Sequence, residues 1–148
     1  MATKTQVPVD SALFTWPSDD PQLLGSKCAD CGVVTFPKQR DCPRCMGDGM
    51  EEHPLARTGT LWTWTTQGFI PKAPPYARVE TPETYQPYGV GYVELGGEVR
   101  VEGRLTEADP AKLRVDMPMQ LVIIPLVDDD GNGNEIMTFA FAPIEGEA

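Results

Sequence analysis

The chain has 148 residues, 41% of them hydrophobic, with 15 Pro and 14 Gly. That is long enough for one core, too apolar for a disordered chain and too broken by turn formers for a helical bundle. Twelve basic residues stand against 22 acidic ones, and the formal charge of −10 repels phosphate backbones and anionic membrane surfaces. With no long apolar run and no signal-peptide pattern at the N-terminus, the expectation is a soluble cytoplasmic protein with neither nucleic acid nor membrane as its partner.

Residues 1–22 mix Pro, Asp and isolated apolar positions without a period, which predicts an extended arm or a short helix around Val9 to Phe14. Residues 23–53 form a cysteine unit with two short strands, one before Cys28 and one at Val33, Val34 and Phe36. From Thr58 the pattern turns to period two. T-L-W-T-W-T-T-Q would place Leu61, Thr63 and Thr65 on one face and Trp62, Trp64 and Thr66 on the other. Val90 to Leu95 and Glu98 to Leu105 read as a hairpin closed by Gly96-Gly97. Met119 to Leu126 is a fourth strand, in which Pro125 predicts an edge or a bulge, and Glu135 to Ala142 is a fifth. Between the third and fourth strands, one helical turn is predicted near Asp109 to Leu113.

Five short antiparallel strands leave costly open edges unless they close, so residues 54–148 are predicted to form a Greek-key barrel of the OB type with an acidic C-terminal tail. The fold class is therefore mostly β, with the cysteine unit followed by a five-stranded barrel.

The four cysteines are spaced Cys28-x2-Cys31-x10-Cys42-x2-Cys45. Two C-x-x-C turns on adjacent hairpins supply the four corners of a tetrahedron, which makes them ligands for zinc rather than disulfide staples. Gly32 suits a tight knuckle, Pro43 stiffens the second pair, and Lys27, Lys38, Arg40 and Arg44 lie close enough in sequence to offset thiolate charge. Iron fits the same cage, and spacing does not separate the two metals. Thioredoxin-like redox chemistry needs one C-x-x-C on a βαβ unit, which this pattern lacks. Four thiolates leave no open coordination position, so the metal is structural.

No catalytic residue is assigned. The single histidine, His53, has no nucleophile motif beside it, and Ser11, Ser18 and Ser26 lie in no G-x-S-x-G elbow. Asp128 to Asn134 imitates the start of a calcium loop, but its twelfth position is Phe139 rather than Glu, so a polar hairpin turn is expected. Residues 68–89 hold five prolines and three tyrosines; Phe69, Ile70, Tyr76, Tyr85 and Tyr88 make this loop the best candidate for a binding surface, against a solvated insertion as the alternative.

G-S-K-C-A-D-C-G-V-V-T-F-P, C-P-R-C, T-G-T-L-W-T-W-T, Y-G-V-G-Y-V-E-L-G-G-E-V-R-V and the closing F-A-F-A-P together resemble the zinc-ribbon plus OB-fold family known as domain of unknown function 35. The resemblance covers residues 20–143 and rests on the combination, since the cysteine motif alone occurs in many ribbons. It implies a non-catalytic accessory subunit of a thiolase-superfamily enzyme, a thiolase or lipid-transfer-protein-like aldolase, that makes or breaks carbon–carbon bonds in acyl-CoA. The assembly implied is a hetero-tetramer, with the chemistry done by the partner's own residues. In that setting the aromatic loop, with Lys72, Arg78, Arg100 and Arg104, would meet the partner or acyl-CoA phosphates, ordinary surface charge being the competing reading of the four cations. The long N-terminal helix of the family is not evident in residues 1–22. Two other classes remain: a single-stranded nucleic-acid binder, opposed by the absence of any basic segment, and a stand-alone acyl-CoA-binding protein.

Overall fold

The computed structural model describes residues 4–73, 75–78 and 80–144. Pro74 of the loop and the end of the acidic tail, residues 145–148, lie outside them. The N-terminal arm is extended where the helix alternative was open: β1 (Thr5–Pro8) runs parallel to the last strand, and a turn then leads to Phe14, which bridges Leu23.

The cysteine unit is a three-stranded antiparallel sheet of β2 (Leu24–Cys28), β3 (Val34–Thr35) and β4 (Met50–Pro54), in the order β3-β2-β4. β4 has no period-two apolar signal, because it contributes Glu51, Glu52 and His53 at the edge of a small sheet. Its register against Leu24 to Cys28 is what makes it a strand.

The barrel follows: β5 (Thr58–Gln67), β6 (Tyr88–Leu95), β7 (Val99–Leu105), β8 (Pro118–Val127) and β9 (Asn134–Pro143). The pairings β5–β6, β6–β7, β7–β9, β9–β8 and β8–β5 close the ring. Within the ring only β7–β9 is parallel, through Leu105 and Phe141, and β1, also parallel to β9, continues that edge toward the N-terminal end of β9. Gly96 and Gly97 both take positive φ in the β6–β7 turn, as the hairpin required. The helical turn is a 3-10 turn at Pro110–Lys112, capped by the Asp109 carboxylate, which accepts from the Ala111 amide at 2.9 Å. Among the described residues it is the single helical element, and no helix is long and apolar enough to cross a membrane.

Two irregularities decide which side chains face out. In β5 the register slips between Leu61 and Thr63, leaving Trp62 as the extra residue of a bulge. The strict alternation expected for this strand therefore fails: Leu61 is fully buried, Trp64 also packs against the core, and Trp62 is 45% exposed. In β8 the register slips between Pro125 and Val127, the bulge that the proline anticipated.

The core does not stop at the ribbon. Phe14, Leu23, Val34 and Leu55 form one buried cluster with Leu61, Val93, Leu95, Val101, Leu105, Met119, Leu121 and Phe141 of the barrel. Phe36, beside β3, meets Phe139 of β9 edge-on at 5.6 Å between ring centroids. Polar ties cross the same junction: His53 Nε2 and Glu98 Oε2 are 3.0 Å apart, the Arg57 guanidinium donates to the Pro21 carbonyl at 2.9 Å, and the Gln22 amide donates to the Leu55 carbonyl at 3.1 Å.

Gly59, in the T-G-T strand, sits against β6 so closely that a Cβ there would collide with the Glu94 carbonyl oxygen, a backbone atom fixed by two neighbouring strands. Gly59→Ala is expected to lower stability by about 1–3 kcal/mol through forced backbone displacement. Chemical denaturation of the metal-loaded chain measures it, and an unchanged midpoint would show that the barrel absorbs the methyl.

Candidate functional site

The metal cage is built twice from one local device. In the first knuckle the Cys28 amide donates to the Val33 carbonyl and the Gly32 amide to the Cys28 carbonyl, both at 2.9 Å. In the second, the Cys42 amide donates to the Gly47 carbonyl at 2.8 Å and the Met46 amide to the Cys42 carbonyl at 2.9 Å. Each knuckle thus turns after its second cysteine through one residue of positive φ, Gly32 at 80° and Met46 at 65°. Glycine takes that conformation freely and methionine does not. The Ala29 amide, bonded to the Gly49 carbonyl at 2.8 Å, brings the two knuckles together.

The four sulfur atoms lie within 4.8 Å of one another. Cys28 Sγ and Cys45 Sγ are 3.7 Å apart and Cys31 Sγ and Cys42 Sγ 3.5 Å apart. Four sulfurs at about 2.3 Å from one ion have tetrahedral edges of about 3.8 Å, so this donor set fits a single zinc ion. Cys28 and Cys42 are buried, Cys31 is half-buried and Cys45 is exposed.

The thiols are not equivalent. The amides of Cys45 and Arg44 point at the Cys42 sulfur, at 3.4 and 3.3 Å, and hold its pKa down to about 6 against the effect of burial. The Gly47 amide pulls the Cys45 thiol the same way, but the Cys42 and Cys28 thiols and burial outweigh it and push Cys45 up to about 12. The Val33 amide likewise lowers Cys31, and burial with the Cys42 and Cys28 thiols raises it on balance. A metal ion therefore meets one sulfur already ionised at neutral pH and displaces protons from others as it settles. Two of the nearby cations act otherwise than as charges on the cage. It is the Arg44 backbone that addresses the cage, and the Lys38 ammonium goes to Glu52 at 2.9 Å.

The other candidate residues fall into separate settings. Phe69 is 75% exposed, Ile70 is half-buried and Lys72 exposed. Tyr85 donates its hydroxyl to the Gln67 carbonyl at 2.7 Å and stands edge-on to Tyr88 at 6.4 Å. The Arg104 guanidinium lies 4.2 Å from the centre of the Tyr88 ring. Further along the same outer face of β6 and β7, Arg100 lies 4.0 Å from the centre of the Trp62 ring and 3.7 Å from Glu94. Tyr92 stands edge-on to Trp62 and donates to Glu102 at 3.3 Å. Arg78 is elsewhere, bonded to the carbonyls of Pro125 and Leu126. Tyr76 donates to Glu80 at 3.2 Å, and its own pKa is raised, by burial first and then by that carboxylate. Tyr85 is raised by burial as well.

Asp128 to Asn134 is the β8–β9 turn. The Asp130 carboxylate accepts from the amides of Asn132 and Asn134 at 2.8 and 3.1 Å and from the Asn134 side chain at 3.0 Å; these donors, the side chain foremost, lower its pKa. Sequence reasoning missed the Trp62–Tyr92–Arg100 group, since strict alternation keeps Trp62 and Trp64 on one face and the bulge is what separates them, sending Trp64 to the core and leaving Trp62 outside with Tyr92; it also missed β1, whose parallel partner lies at the far end of the chain.

Two outcomes follow from the cage. Gly32→Ala meets no atom within 4 Å, so its expected cost of about 1–2 kcal/mol is purely conformational, and Met46→Gly is expected to raise stability by up to about 1 kcal/mol. Thermal melts of the zinc-loaded proteins test the pair, and equal shifts of the same sign would contradict it. Cys42→Ser, or removal of the metal by a chelator, is expected to abolish zinc binding and hydrogen-exchange protection in β2–β4 and to lower the melting temperature of the barrel through the shared core. Zinc quantitation with amide exchange checks this, and protected β2–β4 amides without metal would oppose it.

Comparison with known proteins agrees with this architecture. Residues 16–51 match the family model for the ChsH2 rubredoxin-like zinc ribbon domain and residues 52–123 that for the ChsH2 C-terminal OB-fold domain. The chain is 32% identical over 124 residues to the benzoylsuccinyl-CoA thiolase subunit BbsA of Thauera aromatica, covering 84% of this chain and 78% of that one. It is 30% identical to a DUF35 domain-containing scaffold protein of Pyrococcus furiosus, over 83% of this chain and 84% of the relative. A second such scaffold protein, from Methanocaldococcus jannaschii, is 27% identical over 83% of this chain and 82% of its own. Among solved structures, the Ltp2-ChsH2(DUF35) aldolase superposes with a TM-score of 0.57 at 22% identity, over 82% of this chain and 84% of that chain, which speaks for the fold. With its ribbon and barrel both matched, this chain belongs to the ChsH2-like DUF35 family, in which a rubredoxin-like zinc ribbon leads into an OB-fold barrel.

Proposed function

We propose that the protein is a non-catalytic accessory subunit that binds and stabilises a thiolase-like enzyme acting on carbon–carbon bonds of acyl-CoA, and helps to shape that enzyme's acyl-CoA site. The observation that carries this reading is the 32% identity, across ribbon and barrel, to a subunit of a CoA-ester thiolase, with scaffold proteins as further relatives.

The physical character of the chain agrees. The ribbon and barrel share one buried core, and a cage closed by four sulfurs leaves its metal no position for substrate. Phe69, Ile70, Tyr76, Tyr85 and Tyr88 lie in or beside the long β5–β6 loop and offer apolar contact area of low rotamer entropy. Arg100 and Arg104 serve as rigid stacked planes on this side, and Lys72 is the exposed cation of the loop best suited to a CoA phosphate. Glu94 and Glu102 alternate with the two arginines, so the β6–β7 face is not a basic groove for nucleic acid. The assembly proposed is a hetero-tetramer.

Coexpression with a thiolase-like subunit tests this. The expected result is co-elution as a stoichiometric complex whose partner loses solubility or acyl-CoA turnover when this chain is omitted. A partner equally soluble and equally active alone would defeat the proposal.

A further inference from the structure

Twenty residues separate β5 from β6. At the stem, Tyr85 bonds the Gln67 carbonyl and the Gln67 side chain bonds the Phe69 carbonyl at 2.9 Å. The bonds Tyr76–Glu80 and Thr81–Thr84 stay inside the loop. Among the described residues, the hydrogen bonds that carry the middle of the loop to another element come from one side chain, Arg78. Its Nε donates to the Leu126 carbonyl at 2.7 Å and its Nη2 to the Pro125 carbonyl at 2.8 Å.

The receiving site exists because of the β8 bulge. The slip between Pro125 and Val127 leaves Leu126 without a partner on β9, and β5 pairs with β8 no further than Gln120, so this stretch of β8 has an open edge. Two adjacent carbonyls on that edge match the planar fork of a guanidinium, which bonds both at once; an ammonium is a single point and does not reproduce the fork. Glu80, only 16% exposed at its side chain, sits 3.9 Å from Nη1 and turns the guanidinium toward the carbonyls while accepting the Tyr76 hydroxyl. Between the loop and the strand a cavity of about 430 Å³ remains, lined by Ala77, Arg78, Glu80 and Leu126 to Asp129.

From this geometry we infer that Arg78 is a positioning residue: it fastens the proline- and tyrosine-rich loop to the bulged edge of β8 and so presents the loop preshaped to a protein partner. Arg78 was a candidate for CoA phosphate. Its Nε and Nη2 are committed to backbone carbonyls and its Nη1 faces Glu80, and its effect on binding is the ordering cost it removes in advance. The binding half of this inference rests on the function proposed above, whereas the fastening half does not.

The test uses the full zinc-loaded chain with Arg78→Gln and Arg78→Lys. Loss of two charge-assisted bonds is expected to speed amide exchange across residues 68–87 by roughly tenfold or more, with zinc content and exchange in β2–β4 unchanged and Arg78→Lys rescuing little. Binding of the coexpressed thiolase-like subunit is expected to weaken by roughly fivefold to tenfold, mainly in the association rate. Unchanged exchange over 68–87 would overturn the fastening. Faster exchange with unchanged affinity would overturn the preshaped docking loop. If the wild-type chain binds no thiolase-like subunit, the proposed function and the docking half fail together, and the exchange experiment decides the fastening by itself.

Discussion

The convergence of four cysteine sulfurs is the constraint on which the N-terminal third of the molecule depends. Between Cys28 and Met50 the buried apolar side chains other than cysteine reduce to Val34, far too little to offset the conformational entropy of ordering that segment. Two knuckles of the same hydrogen-bond pattern place the sulfurs at the spacing of one tetrahedral ion, and the ion then replaces the missing core. Met46 shows how strongly the cage dictates the backbone. Its side chain is 81% exposed and contributes nothing to the core, yet its φ of 65° matches that of the glycine at the equivalent place in the other knuckle.

What the cage organises is then joined to the barrel by ordinary packing. Leu24 and Val34 are buried by the ribbon sheet, Phe36 lies against Phe139, and Leu23 and Leu55 enter the same cluster as the barrel strands. The N-terminal arm closes the seam, with Phe14 fully buried and the Leu24 amide bonded to the Leu13 carbonyl at 2.8 Å. A ribbon on a flexible tether would transmit nothing to its neighbour. A ribbon sharing a core with the barrel is held to it by packing, and under the proposed function such a body presents a surface to a partner without losing binding free energy to its own ordering.

Much of this was legible from the residues because the signals were local. C-x-x-C spacing fixes four ligands whatever surrounds them, Gly96-Gly97 between alternating strands fixes a hairpin, and Pro125 marked a bulge. Features set by distant partners were not legible. β1 exists because Thr5 to Pro8 pair with residues 134–137 at the other end of the chain, and β4 because Met50 to Pro54 pair with β2. The alternation in β5 failed for a related reason. A single extra residue in a strand reverses every side chain beyond it, and nothing in T-L-W-T-W-T says which tryptophan is the extra one; the neighbouring β6 decides by pairing Val93 with Leu61 and Tyr92 with Thr63.

The four cations of the candidate site show why residue type alone underdetermines role. Lys72, Arg78, Arg100 and Arg104 look interchangeable in a sequence, each a positive charge near an aromatic-rich stretch. In the structure, Arg100 and Arg104 cover the rings of Trp62 and Tyr88, and Arg100 also approaches Glu94. Such planes add flat, partly apolar area to the β6–β7 face more than they add free charge. Arg78 has turned inward to satisfy carbonyls that a bulge left open. Of the two cations in the loop, Lys72 is the exposed one. For a chain with a formal charge of −10, recognition built on stacked aromatic and guanidinium faces is consistent, because a diffuse positive field is not available to it. Under the proposed function, surface shape and desolvated contact area would supply the specificity, and both require that the loop and the outer face of the barrel hold their geometry in advance.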